Sequence, residues 1–137
     1  MADSIYLNIL TPEKVVFADS VEVVTAPGTL GEFGVLPGHA ALVTTLEIGE
    51  VAIKKDNHEY YVAINGGVAE VVNDKMTILT PAAELAQDID LKRAETAKLR
   101  AEERLKNLMP EDDQYLDVLS ALKRAQNRIK VAGRKAV

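Results

Sequence analysis

The sequence predicts an all-β sandwich domain followed by an α-helical antiparallel hairpin. Before about residue 88 the apolar residues alternate or form short β-branched runs, and after it they recur every three to four residues. The charge changes at the same point: residues 1–89 carry a net charge of −9, and residues 90–137 carry +4. We therefore expect a β-sandwich domain over residues 1–87 and a two-helix domain over residues 88–137.

Short apolar runs at near-regular spacing predict the strands. They comprise residues 5–10, 15–17, 21–24, 41–46, 51–53, 60–64, 69–72 and 76–79. Asp56-Asn57 and Asn73-Asp74 separate two pairs of these runs, and Asn and Asp tolerate the left-handed backbone of tight hairpins. Many short strands joined in this way are typical of a sandwich or a flattened barrel. Pro81 ends the last strand, and residues 82–87 are predicted to be a connector.

Two helices are predicted after the break. Asp90 is a favourable N-cap for a helix that begins at Leu91 and runs to about residue 108. Pro110 and the acidic residues 111–113 are expected to end that helix and to cap a second one. Because the joint is short, the two helices should form an antiparallel hairpin.

The second helix carries a nearly unbroken apolar stripe, and the first carries mainly alanines. The stripe consists of Tyr115, Val118, Leu119, Leu122, Ala125, Ile129 and Ala132, at spacings of three and four. The facing residues of the first helix are Ala94, Ala97, Ala101, Leu105 and Leu108. Since alanines bury little apolar area, such a hairpin is marginal alone and should lean on another surface. Permanent packing on the sandwich and exchange between two partners both remain open.

The composition limits the function classes. The 137 residues include no Cys, so the chain has neither a disulfide nor a thiol nucleophile. Residues 1–4 do not resemble a signal peptide, and no apolar run approaches the roughly 20 residues of a membrane span. We therefore expect a protein that is soluble, or at most peripheral to a membrane. A net charge of −5 argues against generic nucleic-acid binding.

Residues 27–40 form a segment unlike the rest, with four Gly and two Pro. No Gly-Lys-Ser/Thr follows and no helix starts here, which argues against a phosphate-binding loop. His39 has no Ser or Cys nucleophile placed by a known signature, and His58 is the other His of the chain, so we expect neither catalytic residues nor a metal site. We expect His39 to bond to nearby backbone instead.

The run GEFGVLPGHA at residues 31–40, the run NGGVAEV at residues 65–71 and the helix pair rich in Ala and Arg closely resemble the epsilon subunit of bacterial and chloroplast F-type ATP synthases. The resemblance covers essentially the whole chain. It implies a sandwich of about ten strands and a two-helix C-terminal domain. It also implies a subunit of the central stalk that binds the gamma subunit, rests on the ring of c subunits, turns with them and performs no bond chemistry itself.

The resemblance also implies contact residues and a location. Glu32, Phe33 and His39 would lie at subunit contacts, with Glu32 near the c ring and His39 near gamma. The hairpin would be either compact or extended along gamma into the catalytic head of alpha and beta subunits, where it inhibits ATP hydrolysis. A basic hairpin suits an acidic surface there. We expect the cytoplasmic face of a bacterial plasma membrane, with a thylakoid membrane as the alternative.

Four arginines are predicted to line one edge of the folded hairpin. Arg124 and Arg128 stand four apart with no acidic residue three or four positions away, so they repel each other. Folding the hairpin about Pro110 places Arg93 level with Arg128 and Arg100 farther along the same edge. The four guanidinium groups then span roughly 10 Å, at a rise of about 1.5 Å per residue. Such a cluster favours an anion.

ATP is the anion that the resemblance implies. Some family members bind it in the folded hairpin through an Ile/Leu-Asp-x-x-Arg-Ala motif, which residues 89–94 match. The implied site consists of Glu84, Ile89, Asp90, Arg93, Ala94, Arg100, Arg124 and Arg128. Ile89 and Asp90 would hold the adenine end and the arginines the phosphates. We hypothesise that ATP, a regulatory ligand and not a required cofactor, locks the compact state, so that falling ATP releases the helices.

Two other classes of protein are compatible with parts of the sequence pattern. The first is a free-standing module that senses a nucleotide or another anion, with the sandwich as inert support. The second, an independent hydrolase, needs a nucleophile, a base and an oxyanion site, which these residues do not supply. Copurification discriminates between the first class and a synthase subunit, because a free sensor would not be recovered with gamma and the c ring.

Overall fold

Residues 3–134 are described by a computed structural model, in which eight strands precede two helices. The strands are β1 (Ile5–Leu10), β2 (Val15–Val21), β3 (Val23–Gly28), β4 (Gly31–Val35), β5 (Leu42–Lys55), β6 (His58–Val72), β7 (Lys75–Leu79) and β8 (Ala83–Leu85). A short 3-10 helix, Ala86–Asp88, leads to α1 (Leu91–Lys106) and α2 (Tyr115–Ala132). The predicted fold class, a β-sandwich followed by a helical hairpin, is confirmed.

The structure has eight strands, close to the roughly ten that the family resemblance implies. Compared with the sequence runs, two pairs of predicted runs each join into one strand. β5 takes in residues 41–46 and 51–53 almost completely, and β6 takes in residues 60–64 and 69–72. The sequence patterns missed β4 and β8. β4 lies in the Gly-rich segment and pairs residue by residue with β3, and β8 lies in the predicted connector and pairs with β6. Both short strands form because a neighbouring strand pairs with them, and neither has a strand pattern in its own residues.

The two predicted hairpin turns are present. Asp56 and Asn57 have φ values of 50° and 64°, and Asn73 and Asp74 have values of 49° and 61°. These pairs of left-handed residues each make a two-residue loop, which joins β5 to β6 and β6 to β7.

The long β5 and β6 form a ribbon that belongs to both halves of the sheet. The strand order is β2-β1-β7-β6-β5-β3-β4, with β8 beside β6 and with β1 parallel to β7. The side of the ribbon that faces the core changes along its length. This change lies between two cross-strand pairs, Leu46–Gly67 and Val51–Val62. Gly66 and Gly67 lie at this change with φ values of 80° and 127°, which residues with a side chain rarely adopt.

The core of the sandwich consists of large aliphatic side chains. The bulkiest of its fully buried residues are Ile5, Leu7, Ile9, Ile53, Ile64, Met76 and Ile78. Burying one such side chain stabilises the fold by about 1.5–3 kcal/mol. The sandwich therefore has enough apolar burial to act as a stable support.

The hairpin packs on the sandwich in layers. α2 contacts β5, β6 and the 3-10 helix, and α1 packs against α2. The buried residues of α1 are Ala94 and Ala101, and those of α2 include Val118 and Ala125. The sequence prediction that the hairpin leans on another surface is correct, and α2 is the helix that makes this contact.

The joint between the helices differs from the prediction. Asp90 caps α1 as expected, because its Oδ1 accepts a hydrogen bond from the Arg93 backbone at 3.1 Å. The acidic residues 111–113 do not cap α2, whose N-cap is Gln114 with no side-chain capping bond. The carboxylate of Asp112 instead accepts from the Met109 backbone at 2.7 Å. Asp112, which was expected to help cap α2, thus closes the turn between the helices instead.

Candidate functional site

The C-terminal end of α2 covers the outer side of the β5/β6 ribbon. An apolar cluster there is separate from the main core and is made of Ala63, Ala86, Ile89, Val131 and Ala132, with Tyr61 packed against it. Its members come from β6, the 3-10 helix and the two ends of the hairpin. We call this cluster the docking surface.

Three polar contacts surround the docking surface. The side-chain amide of Asn127 donates to the carbonyl oxygen of Gly49 at 2.8 Å and lies 3.5 Å from that of Ile64. The guanidinium of Arg128 bonds to Glu84 Oε1 from Nε at 2.6 Å and from Nη2 at 2.5 Å. These contacts join α2 to strands β5, β6 and β8.

Arg134 makes the third contact, just beyond α2. Its guanidinium donates to both carboxylate oxygens of Glu50, at 3.1 and 3.3 Å, and lies 4.9 Å from the centre of the Tyr61 ring. The hydrogen bonds to Glu50 raise the pKa of Arg134 further, so the group stays charged. A hydrogen bond from the Tyr61 hydroxyl to Glu59 raises the pKa of Tyr61, and burial adds to this shift. The tyrosine is thus neutral near neutral pH.

The sequence interpretation missed Asn127, Arg134 and the covered side of β6. One signal was present: Tyr61, Val62, Ala63 and Ile64 form a continuous apolar run, which is typical of a strand covered on both faces. Ala63 is 4% exposed because α2 covers it. No comparable signal marked Asn127, since an Asn in a helix is ordinarily exposed.

The residues predicted to bind ATP lie on four parts of the chain: Glu84 on β8, residues 89–94 at the start of α1, Arg100 farther along α1, and Arg124 and Arg128 on α2. Ile89 and Ala94 are buried, at 3% and 2% exposure, Ile89 within the docking surface and Ala94 on α1. Asp90 is committed to capping α1. These three residues therefore have structural roles in the compact hairpin, independent of a ligand.

The arginines of the predicted site divide into two groups. Arg128 has a carboxylate partner, Glu84, from outside its own helix, which sequence spacing does not reveal. Within residues 3–134, the side chains of Arg93, Arg100 and Arg124 form no ion pair. Of the four cations in the predicted cluster, Arg128 is therefore already paired with a carboxylate.

The predicted subunit contacts lie on β4 and the loop after it. Glu32 is exposed on β4, an edge strand of the sheet, whereas Phe33 is half-buried and packs against the sandwich core. Nδ1 of His39 donates to the carbonyl oxygen of Ala40 at 2.6 Å, which confirms the expected bond to nearby backbone. The Gly38 amide donates to Asp74 Oδ1 at 2.7 Å, and this bond ties the loop to the β6–β7 turn.

A second side of the sandwich exposes apolar residues. This side is formed by the part of the ribbon before Leu46 in β5 and after Gly67 in β6, together with β7 and β1, and is distinct from the part that α2 covers. Its apolar residues are 40–70% exposed: Val43, Val68, Val72, Leu79 and Tyr6. We call them the outer apolar face. Val68 and Leu79 are paired directly across β6 and β7, whereas Glu70 lies opposite Val43 and Lys75 lies between Val72 and Tyr6.

Residues 3–134 carry neither a metal-binding cluster nor a helix that could span a membrane. Among residues 3–134, no three His, Asp or Glu side chains are arranged to hold a metal ion. Neither helix within that range combines the length and the apolar character that crossing a membrane requires.

The class of protein follows from this arrangement: a stable β-sandwich carries a helical hairpin docked on its outer side. Two family models match the chain, "ATP synthase, Delta/Epsilon chain, beta-sandwich domain" over residues 4–86 and "ATP synthase, Delta/Epsilon chain, long alpha-helix domain" over residues 87–133. The chain belongs to the delta/epsilon chain family of ATP synthase subunits. The family resemblance expected from residues 31–40 and 65–71 is thereby confirmed.

Curated relatives match over the full length. The ATP synthase epsilon chain of Citrifermentans bemidjiense is 48% identical over 136 residues, which cover 99% of both chains. That of Geotalea daltonii is 49% identical over 134 residues, which cover 98% of this chain and 97% of the relative.

Solved structures share the fold. A chain of the Euglena gracilis mitochondrial ATP synthase, from a structure of OSCP, F1 and the c-ring, has a TM-score of 0.79 at 24% identity and covers 93% of this chain and 80% of its own length. A chain of the central stalk and c-ring structure from Tetrahymena thermophila has a TM-score of 0.52 at 14% identity, over 97% and 96% of the two chains. At these identities the likeness concerns the fold alone.

Proposed function

We propose that this chain is the epsilon-type subunit of the central stalk of a proton-translocating ATP synthase. It would couple the c ring to gamma, contact the alpha and beta head when its hairpin is extended, and carry no catalytic residues of its own. The observation that most strongly supports this proposal is the match to epsilon chains over both the sandwich and the hairpin. Its place would be peripheral to the membrane, on the cytoplasmic face of a bacterial plasma membrane.

The outer apolar face supports a permanent partner. Val43 is 70% exposed and Leu79 is 54% exposed, and a neighbouring subunit would remove both from water. Gamma is the proposed occupant, with Glu32 and His39 at the contacts that the family resemblance implies. Glu32 is free to reach a polar loop because it is exposed on an edge strand.

Copurification from membranes tests this assignment. The affinity-tagged chain should be recovered with gamma and the c subunit, and a Val43→Asp variant should lose gamma while keeping its circular dichroism spectrum. A Glu13→Gln variant, changed at an exposed position off that face, serves as the control. Recovery of the chain alone would favour a free anion sensor and would contradict the proposal.

The hairpin is proposed to regulate ATP hydrolysis. In the compact state the hairpin that carries the basic residues is held on the sandwich through α2, and its release would free them for an acidic surface of the head. In membrane vesicles, a chain ending at residue 87 should raise ATP hydrolysis relative to the full chain. Equal hydrolysis rates for the two chains would contradict the inhibitory role.

ATP is proposed to favour the compact state. Arg93, Arg100 and Arg124 lack ion pairs among residues 3–134, and phosphate oxygens would supply them with charge-assisted bonds. Glu84 already holds Arg128, so an incoming phosphate has to share or displace that carboxylate.

Calorimetric titration of ATP into the full chain tests this regulation. We expect saturable binding that is weakened by Arg124→Ala and unchanged by Lys123→Ala, the exposed neighbour on the same helix. Absence of saturable heat below about millimolar ATP, which corresponds to about 4 kcal/mol of binding free energy, would contradict it.

A further inference from the structure

Asn127 differs from the other polar residues of the hairpin because it is buried. It is 9% exposed, and of the described residues Thr80 is the other buried polar one. Its amide reaches the carbonyl oxygens of Gly49 and Ile64, which are paired directly across β5 and β6. One side chain of α2 is thus bonded to both strands of the ribbon.

The docking surface, which is apolar, sets the position of α2 only weakly. Ala63, Ala86 and Ala132 are small, and hydrophobic contact is not directional. The amide of Asn127 is directional, and its acceptors are backbone atoms that no rotamer can move. A shift of α2 by one turn, about 5.4 Å, removes both bonds.

Arg134 adds a second directional contact two turns further along. It binds Glu50, the residue after Gly49, and lies over Tyr61, which is three residues before Ile64. Asn127 and Arg134 therefore both bind the same short part of the ribbon, residues 49–50 of β5 and 61–64 of β6. Together they define both the position and the rotation of α2.

We propose that Asn127 is the positioning residue of the docked hairpin, with Arg134 as its second contact. Asn127 sets where α2 docks and raises the docked population over the undocked one. This inference rests on the mobile hairpin of the proposed function, although it does not depend on ATP or on inhibition. It assigns the docking to α2, apart from the arginines of the predicted nucleotide site.

Hydrogen exchange and a distance measurement test the proposal on the full chain without ATP. Asn127→Asp keeps the size of the side chain but replaces its donors with acceptors that face two carbonyls. We expect the α2 amides to exchange at least roughly tenfold faster, the size of effect that an unsatisfied buried group produces. Asn127→Leu should give a smaller increase. The matched controls, Gln126→Asp and Gln126→Leu, alter the exposed neighbour and should change neither rate.

The register of docking is measured separately. Because the chain has no Cys, spin labels can be placed at Glu13→Cys and Lys130→Cys, two exposed positions. We expect a narrow distance distribution in the parent and a broader one with Asn127→Leu, since an apolar side chain allows α2 to shift. Exchange of the β1 and β7 amides should stay unchanged, which a general loss of stability would not permit.

The outcomes separate this inference from the proposed function. Suppose that Asn127→Asp exchanges like Gln126→Asp and that Asn127→Leu keeps the narrow distance distribution, while the triple change Asn127→Asp, Arg128→Ala and Arg134→Ala frees α2. Asn127 is then not the positioning residue, and the hairpin is still mobile. If even the triple variant leaves α2 exchange at the level of β1 and β7, the hairpin does not undock. That result would overturn both the inference and the mobile hairpin.

Discussion

The sandwich and the hairpin are stabilised by different kinds of contact. Inside the sandwich, Leu7, Ile64 and Ile78 are fully buried, whereas α1 buries only Ala94 and Ala101. The sandwich is stable through its own apolar core, and the hairpin depends on α2 being held by Asn127 and its neighbouring polar contacts. A hairpin with a thin apolar seam is marginal by itself, so its order depends on the contacts of α2 with the sandwich.

Separating the two regions is the strongest test of this comparison. A peptide of residues 88–137 should lose most of its helical signal at 222 nm, because short helices are marginal without tertiary contacts. Residues 1–87 alone should retain a sheet spectrum and a cooperative thermal transition. Circular dichroism of the two fragments checks both statements. A peptide that melts cooperatively as a helical hairpin would show that α2 does not need the sandwich.

A change where the ribbon switches its buried side should destabilise the sandwich, whereas a matched change elsewhere should have little effect. A Cβ at Gly67, where φ is +127°, would lie 2.1 Å from the Leu79 carbonyl oxygen, so Gly67→Ala should cost at least about 2 kcal/mol. Gly34→Ala places its Cβ in open space and should change stability by less than about 0.5 kcal/mol. Urea denaturation measures both. Equal midpoints for the two variants would argue against the close backbone approach at Gly67.

The ion pair between Glu84 and Arg128 should have a smaller effect, confined to the hairpin. Their side chains are 32% and 36% exposed, so solvent screening limits the contribution to about 0.5 kcal/mol. Glu84→Gln should therefore raise the exchange of α2 amides about twofold, with Glu13→Gln as the control. An equal rise in the β1 amides would show that the pair supports the sandwich as well.

The smallest expected effect is a pH dependence within the sandwich. The hydrogen bond from Lys55 lowers the pKa of Asp19 below its ordinary value of 3.8. The ion pair between these residues therefore stabilises the fold above that value, and the contribution is lost as the pH falls through the lowered pKa. Thermal melting between about pH 6 and about pH 2 should show a slightly shallower acid loss for Asp19→Asn than for the parent. An identical slope would mean that the pair contributes nothing.

Much of the fold could be predicted because it depends on local patterns. Asp56-Asn57 and Asn73-Asp74 specify their turns directly, and Asp90 specifies the start of α1. β4 and β8 could not be predicted in this way. Both form because an adjacent strand offers free backbone groups, a long-range cause that leaves no pattern in the residues themselves.

The candidate site was less predictable for a similar reason. Spacing along α2 showed that Arg124 and Arg128 lack acidic neighbours in the helix, but it could not show that Glu84 would approach Arg128 from β8. Asn127 was missed because its partners are backbone carbonyls, which every residue carries. The residues that position the hairpin were thus harder to predict than those that resemble a ligand motif.

The β5/β6 ribbon also bears on the order of folding. It forms 13 residue pairs around a two-residue turn, whereas the pairing of β1 with β7 joins positions as far apart as Tyr6 and Lys75. Local pairings close short loops and lose less chain entropy, so the ribbon can form before the rest of the sheet. Gly49, Glu50, Tyr61 and Ala63 belong to this ribbon and precede α2 in the chain. The strands on which α2 packs can therefore pair before α2 has been synthesised, and docking of α2 can follow as a later step.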